Sequence, residues 1–109
     1  MGLDKNMPLP KRPRLSSFNY RGTYTYFLTL LTKDRRPLFT NPEIVNILLD
    51  FTKEVSEKEG FDIEAYCFMP DHLHLLLSGR NTKSDLARFV NLFKQKSGYW
   101  FKQKYQGPI

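Results

Sequence analysis

The sequence predicts an α+β domain: one antiparallel sheet with its helices on one face, in the order β-α-β-β-α. Three observations lead there. Segments rich in β-branched and aromatic residues are separated by two stretches whose apolar residues recur at helical spacing. A Pro70-Asp71 turn joins the last two strand-like segments as partners. A chain of 109 residues, 40% hydrophobic and 15% aromatic, has enough apolar material for a single core.

Residues 1–19 (MGLDKNMPLPKRPRLSSFN) hold three of the seven prolines and no periodic apolar pattern. They read as a flexible basic arm ahead of a domain at residues 20–109. Residues 23–32 (TYTYFLTLLT) read as a strand with Tyr24, Tyr26, Leu28 and Leu30 on one face. The other face, with Thr25, Phe27, Thr29 and Leu31, is half polar and is not expected to be fully buried. A loop at residues 33–40 leads to a helix with clear start signals. Asn41 is a natural N-cap, Pro42 takes the first helical position and Glu43 complements the helix dipole. Ile44, Leu48, Phe51 and Val55 then recur at helical spacing until Gly60 closes the helix.

Residues 61–69 (FDIEAYCFM) return to strand character, and residues 72–78 (HLHLLLS) supply the partner strand. The partner is apolar enough over residues 72–77 to be central in the sheet. A second helix is expected to begin at Thr82, where Thr82 and Asp85 have capping-box spacing. Leu86, Phe89, Val90 and Phe93 form its apolar stripe, and Gly98 is a candidate interruption. The order is most of a ferredoxin-like (RRM-like) split β-α-β arrangement.

Net charge is +6, and its distribution is informative. Residues 1–22 carry five bases against one acid, and residues 81–109 six against one, whereas residues 23–80 carry six bases against nine acids. Positive charge at both ends suits a polyanion, because each phosphate neutralised releases condensed counterions. The bases placed for such contacts are Lys11, Arg12, Arg14, Arg21, Lys94, Lys96, Lys102 and Lys104. Cys67 is the only cysteine, which excludes an intrachain disulfide and suggests a buried thiol in a reducing, intracellular setting. No stretch approaches the roughly 20 apolar residues of a membrane span, and no apolar segment follows the basic start as a secretory signal requires.

His72 and His74 are the only histidines. Two apart on a strand, they project from one face while Leu73 points to the other. Two imidazoles so placed converge on one divalent cation, but two ligands do not complete a site, and Asp71 or an outside residue has to help. A pair of strand histidines that touches no metal fits the same spacing.

The segment from Ala65 through Met69-Pro70-Asp71-His72-Leu73-His74 to Leu77 closely resembles the Met-Pro-Asn/Asp-His-hydrophobic-His block of the IS200-like tyrosine transposases of the HUH superfamily and their repeat-associated relatives. Residues 24–39 (YTYFLTLLTKDRRPLF) are similar to that family's first strand and its exit, and residues 86–108 match a third block with Phe89, Lys94 and Gly107-Pro108. The resemblance covers roughly residues 20–109 in the family's order. It implies that His72 and His74 hold Mg²⁺ or Mn²⁺, which polarises a scissile phosphate of single-stranded or hairpin DNA. It implies attack by a tyrosine that leaves a phosphotyrosine link, so that strand transfer needs no nucleotide cofactor. It also implies a homodimer, and a cytoplasmic location in a prokaryotic cell, at the nucleoid when bound to DNA.

The family's tyrosine and its third polar metal ligand lie on a later helix, past the point where this sequence ends at Ile109. The resemblance therefore implies a domain shortened at its C-terminus, with the nucleophile outside these residues and cleavage beyond the chain alone. Tyr99 and Tyr105 match no catalytic position. The alternative is a non-catalytic module that grips single-stranded nucleic acid through bases and aromatics such as Tyr24, Tyr26 and Phe27. A two-histidine phosphodiesterase is disfavoured, because such enzymes need two H-x-[ST] motifs and there is one histidine pair.

Overall fold

The computed structural model describes residues 1–3 and 20–109. Its sheet contains β1 (Gly2–Leu3), β2 (Thr25–Leu31), β3 (Phe61–Met69) and β4 (His72–Gly79), in the spatial order β1-β2-β4-β3 with every pairing antiparallel. The helices α1 (Pro42–Glu59) and α2 (Leu86–Tyr105) cover one face. The expected β-α-β-β-α order and α+β class are present, and the histidine strand is central. One strand is added: Gly2 and Leu3 pair with Leu31 and Leu30. The reading of residues 1–19 as an arm therefore does not hold for residues 1–3, because the open edge of β2 offers them backbone partners. Residues 4–19, with the expected contacts Lys11, Arg12 and Arg14, lie outside the described residues.

Alternation along β4 divides the molecule. Leu73, Leu75 and Leu77 are 0–1% exposed and meet Leu28 and Leu30 of β2 and Phe61 of β3 in one core cluster. Phe89 and Phe93 of α2 complete it, with Phe89 packed edge-on against Phe61 at 5.5 Å. Full burial of each such side chain contributes about 1.5–3 kcal/mol, so this layer dominates stability. From α1 come Ile44, Leu48 and Val55 as expected, with Phe51 packed partly buried beside them. Two buried hydroxyls in the helices are satisfied locally, Thr52 donating to the Leu48 carbonyl at 2.8 Å and Ser97 to the Phe93 carbonyl at 2.6 Å.

The first helix starts and stops where its signals lie. The Asn41 side chain accepts from the Glu43 N–H at 2.9 Å, and Gly60 closes α1 in the left-handed region at φ 77°. The second helix starts later than Thr82. Asn81 captures the next residues in a turn, its side chain accepting from the Lys83 N–H at 2.8 Å. Asp85 is the cap instead, accepting from the Ala87 and Arg88 N–H groups at 3.0 and 3.3 Å. Gly98 does not interrupt α2, which is held on both sides of it by buried Phe93 and Phe101.

β3 carries a one-residue bulge: Ile63 pairs with Leu77 but Ala65 with Leu76, leaving Glu64 without a cross-strand partner. Close backbone approach fixes the far end of the hairpin, where a Cβ on Gly79 would fall 1.8 Å from the Gly22 carbonyl oxygen. No helix among the described residues is long and apolar enough to cross a membrane.

Candidate functional site

The face of the sheet away from the helices is set by the other half of the β4 alternation: His72, His74, Leu76 and Ser78. Their cross-strand partners on β2 are Leu31, Thr29, Phe27 and Thr25. On β3, Met69 lies opposite His72 and Cys67 opposite His74. The half-polar face predicted for β2 is thus the face that carries the imidazoles. Cys67 is exposed there, not buried as its apolar neighbours suggested, because it falls on the uncovered side of the sheet.

The two imidazoles lie edge to face with centroids 4.6 Å apart. His74 stacks on Phe27 at 5.3 Å, and its Nδ1 is 3.0 Å from the hydroxyl of buried Thr29. His72 is partly covered, and its Nδ1 is 2.7 Å from one Asp71 carboxylate oxygen. The other Asp71 oxygen accepts from Arg35 Nε at 2.8 Å. These partners, His72 first and Arg35 second, hold the Asp71 carboxyl below the ordinary carboxylate range. Asp71, considered from the sequence as a helper ligand, is instead turned toward His72 and Arg35. Among the described residues no group of three His, Cys, Asp or Glu side chains is placed to hold a metal ion.

Arg35 reaches Asp71 from a turn in which Asp34 and Arg35 both adopt left-handed backbone, φ 58° and 55°. Such a conformation is uncommon for residues with a Cβ. The turn is tied on both sides. Thr32 donates its N–H to the Asp71 carbonyl at 3.0 Å, and the Lys33 N–H donates to the Ile109 carbonyl at 2.8 Å. Arg36 donates to the Pro108 carbonyl and lies over the Phe101 ring. Sequence reasoning passed over Arg35 and Thr29 as site residues, and named Phe27 only as a stacking aromatic of the alternative reading. The one signal for Arg35 was a pair of arginines in a short loop beside a strand end.

The expected nucleic-acid contacts fall into two groups. Arg21 bonds Asp85 at 3.2 Å, Lys96 bonds Glu54 at 3.1 Å and Lys104 bonds Glu43 at 3.1 Å. Together with Arg88–Glu59, the two lysine pairs lace α2 to α1. Lys102 is exposed, while Lys94 is half-buried. After burial, Lys94, Arg36 and Lys33 depress the Met1 ammonium pKa. Tyr99 is 70% exposed on α2, and the Tyr105 hydroxyl bonds Glu43, which raises the phenol pKa. Both tyrosines belong to the helix layer, across the sheet from the imidazoles.

The family model described as "Transposase IS200 like" matches residues 21–108. The chain belongs to the IS200-like transposase family. A Haemophilus influenzae protein described as a REP-associated tyrosine transposase is 33% identical over 63 residues, covering 54% of this chain and 35% of that one. The chain therefore spans about a third of the length of that relative. Two solved structures share the fold. One is a Deinococcus radiodurans protein described as a transposase, with TM-score 0.64, 23% identity and coverage of 86% of this chain and 69% of that one. The other is a REP-associated tyrosine transposase bound to a REP hairpin, with TM-score 0.68, 18% identity and coverage of 85% and 55%.

Proposed function

We propose that this domain binds single-stranded or hairpin DNA and holds a divalent metal, Mg²⁺ or Mn²⁺, between His72 and His74 for transposase-type strand cleavage and transfer. The observation that carries this reading is the pair of imidazoles side by side on the open face of the central strand, each with Nδ1 hydrogen-bonded. A relative of this fold bound to a REP hairpin supports DNA as the partner. The donor set fits half a metal site, with the remaining positions taken by water or by groups outside the described residues. When bound, the ion would supply Lewis-acid polarisation of a phosphate.

The chain's own residues position and shield. Phe27 and Thr29 fix the His74 ring, Asp71 fixes His72, and Lys94, Lys102 and the bases at residues 11–14 attract phosphate. Cleavage by residues 1–109 alone is not part of the reading. Tyr105 is committed to Glu43 with a raised pKa, the opposite of an activated nucleophile. The acting form is a homodimer in the cytoplasm.

The test is Mn²⁺ binding to the protein followed by incubation with labelled hairpin DNA. Wild type should bind Mn²⁺ and DNA, His72→Ala and His74→Ala should lose the metal, and no denaturation-resistant protein–DNA adduct should form. Retention of Mn²⁺ by both variants would remove the metal reading. DNA binding without any metal binding by wild type would favour a non-catalytic binding module, with exposed Phe27 as its stacking platform.

A further inference from the structure

The structure assigns Arg35 and Asp71 a role as a positioning relay that fixes the tautomer and ring orientation of His72, so that Nε2 is its ligating atom. The assignment rests on the metal reading above for its purpose but not for its geometry. A carboxylate only accepts hydrogen bonds, so at 2.7 Å from Asp71 the His72 Nδ1 must carry the hydrogen. In the neutral ring the lone pair then resides on Nε2. Ligating imidazoles are commonly held in this way, with the second nitrogen donating to a carboxylate, and loss of the carboxylate costs about 10–100-fold in metal affinity.

Asp71 would not hold its own orientation unaided. It stands in a two-residue turn between β3 and β4, with its side chain partly exposed. Arg35 supplies the second contact at 2.8 Å and leaves each carboxylate oxygen one partner. Arg35 is itself placed by the left-handed turn at residues 34–35. That turn is bonded through Thr32 to the Asp71 carbonyl, in both its N–H at 3.0 Å and its hydroxyl at 3.2 Å. Backbone and side chain thus lock the same two segments together. The His74 Nδ1 meets the Thr29 hydroxyl, which is able to donate or accept, so that contact does not by itself choose a tautomer.

The decisive readout needs no metal. Long-range ¹H–¹⁵N correlation of the metal-free protein at about pH 8, where an ordinary imidazole is neutral, reports which ring nitrogen is protonated. Wild type should show His72 protonated at Nδ1. Asp71→Ala should move the hydrogen toward Nε2, and so should Asp71→Asn, because Arg35 claims the single amide oxygen and the amide NH2 then faces the ring. Mn²⁺ affinity should fall about 10–100-fold in Asp71→Ala and Asp71→Asn and by less in Arg35→Ala. Circular dichroism should show all three variants folded. An unchanged His72 tautomer in Asp71→Ala overturns the relay. So does unchanged Mn²⁺ affinity in that variant when wild type binds the metal. A wild type that binds no Mn²⁺ yet shows the Asp71-dependent tautomer refutes the metal reading and leaves the relay standing.

Discussion

Alternation along β4 makes a quantitative forecast about neighbouring residues with opposite roles, Leu75 and His74. Leu75 is 1% exposed in the core, so Leu75→Ala removes buried methyl groups and leaves a cavity, at a cost of about 3–4 kcal/mol. His74→Ala removes no core volume. It strands the hydroxyl of Thr29, which is 2% exposed, and removes the stack on Phe27, for about 2 kcal/mol in all. At roughly 2.1 cal/mol/K per residue the 109-residue chain unfolds with about 0.23 kcal/mol/K, so each kcal/mol moves Tm by about 4 °C. Differential scanning calorimetry should then give losses of about 13–17 °C for Leu75→Ala and about 9 °C for His74→Ala. Mn²⁺ titration below both transitions should give the opposite ranking, near-normal binding in Leu75→Ala and none in His74→Ala. A His74→Ala loss as large as that of Leu75→Ala would make the imidazole a core residue. The assignment of the two faces of β4 would then be wrong.

Four further outcomes follow from the same structure. Single-stranded DNA affinity should fall with salt at a log–log slope of about −3 to −4, matching about 4–6 phosphate contacts; a flat response would remove nucleic acid as the partner. Within that, Lys102→Ala should weaken binding more than Lys96→Ala, whose ammonium is shared with Glu54, and the reverse order in a filter-binding assay would contradict the pairing. Gly79→Ala should destabilise by more than about 3 kcal/mol in urea denaturation, because its Cβ would fall 1.8 Å from the Gly22 carbonyl; a loss near zero would refute that approach. The Glu43 carboxyl is held below its usual range, first by Tyr105 and then by Lys104, while the Tyr105 phenol is raised by Glu43. A depressed acid contributes stability that is present above the unfolded pKa near 4.5 and lost as pH falls through the folded one. A raised phenol contributes stability that is present below the unfolded pKa near 10 and lost as pH rises through the folded one. Protection of the α1 amides, measured as exchange relative to the intrinsic rate at each pH, should therefore be greatest between those limits, and Glu43→Gln should flatten the profile.

Much of the fold was legible because its signals are local. The Asn41 cap, the Pro42 start and the Gly60 stop each act within four residues, and they bound α1 as read from the sequence. The helix start misread at Thr82 is also local, but two motifs competed there, and the Asn81 turn prevailed over the capping box. The site was half legible. Period two placed both imidazoles on one face, whereas Arg35 approaches Asp71 across 36 positions of sequence, a distance over which no periodicity acts. Nor could charge counting tell Lys102 from Lys96, since pairing with Glu54 depends on how two helices lie against each other.

The bulge in β3 works as a phase shifter. Phe61 and Ile63 turn inward at odd positions, and Tyr66 and Phe68 lie on the same side at even ones, because Glu64 absorbs one step of the alternation. Cys67 and Met69 come onto the imidazole face only through that step. Deleting Glu64 should leave every later side chain on its present side of the sheet. Deleting one residue from positions 65–68 while the bulge at Glu64 is retained would instead reverse the remainder of the strand up to the Pro70 turn. One extra glutamate thus marks where β3 tolerates a change of length and where the same change would alter the surroundings of the histidines.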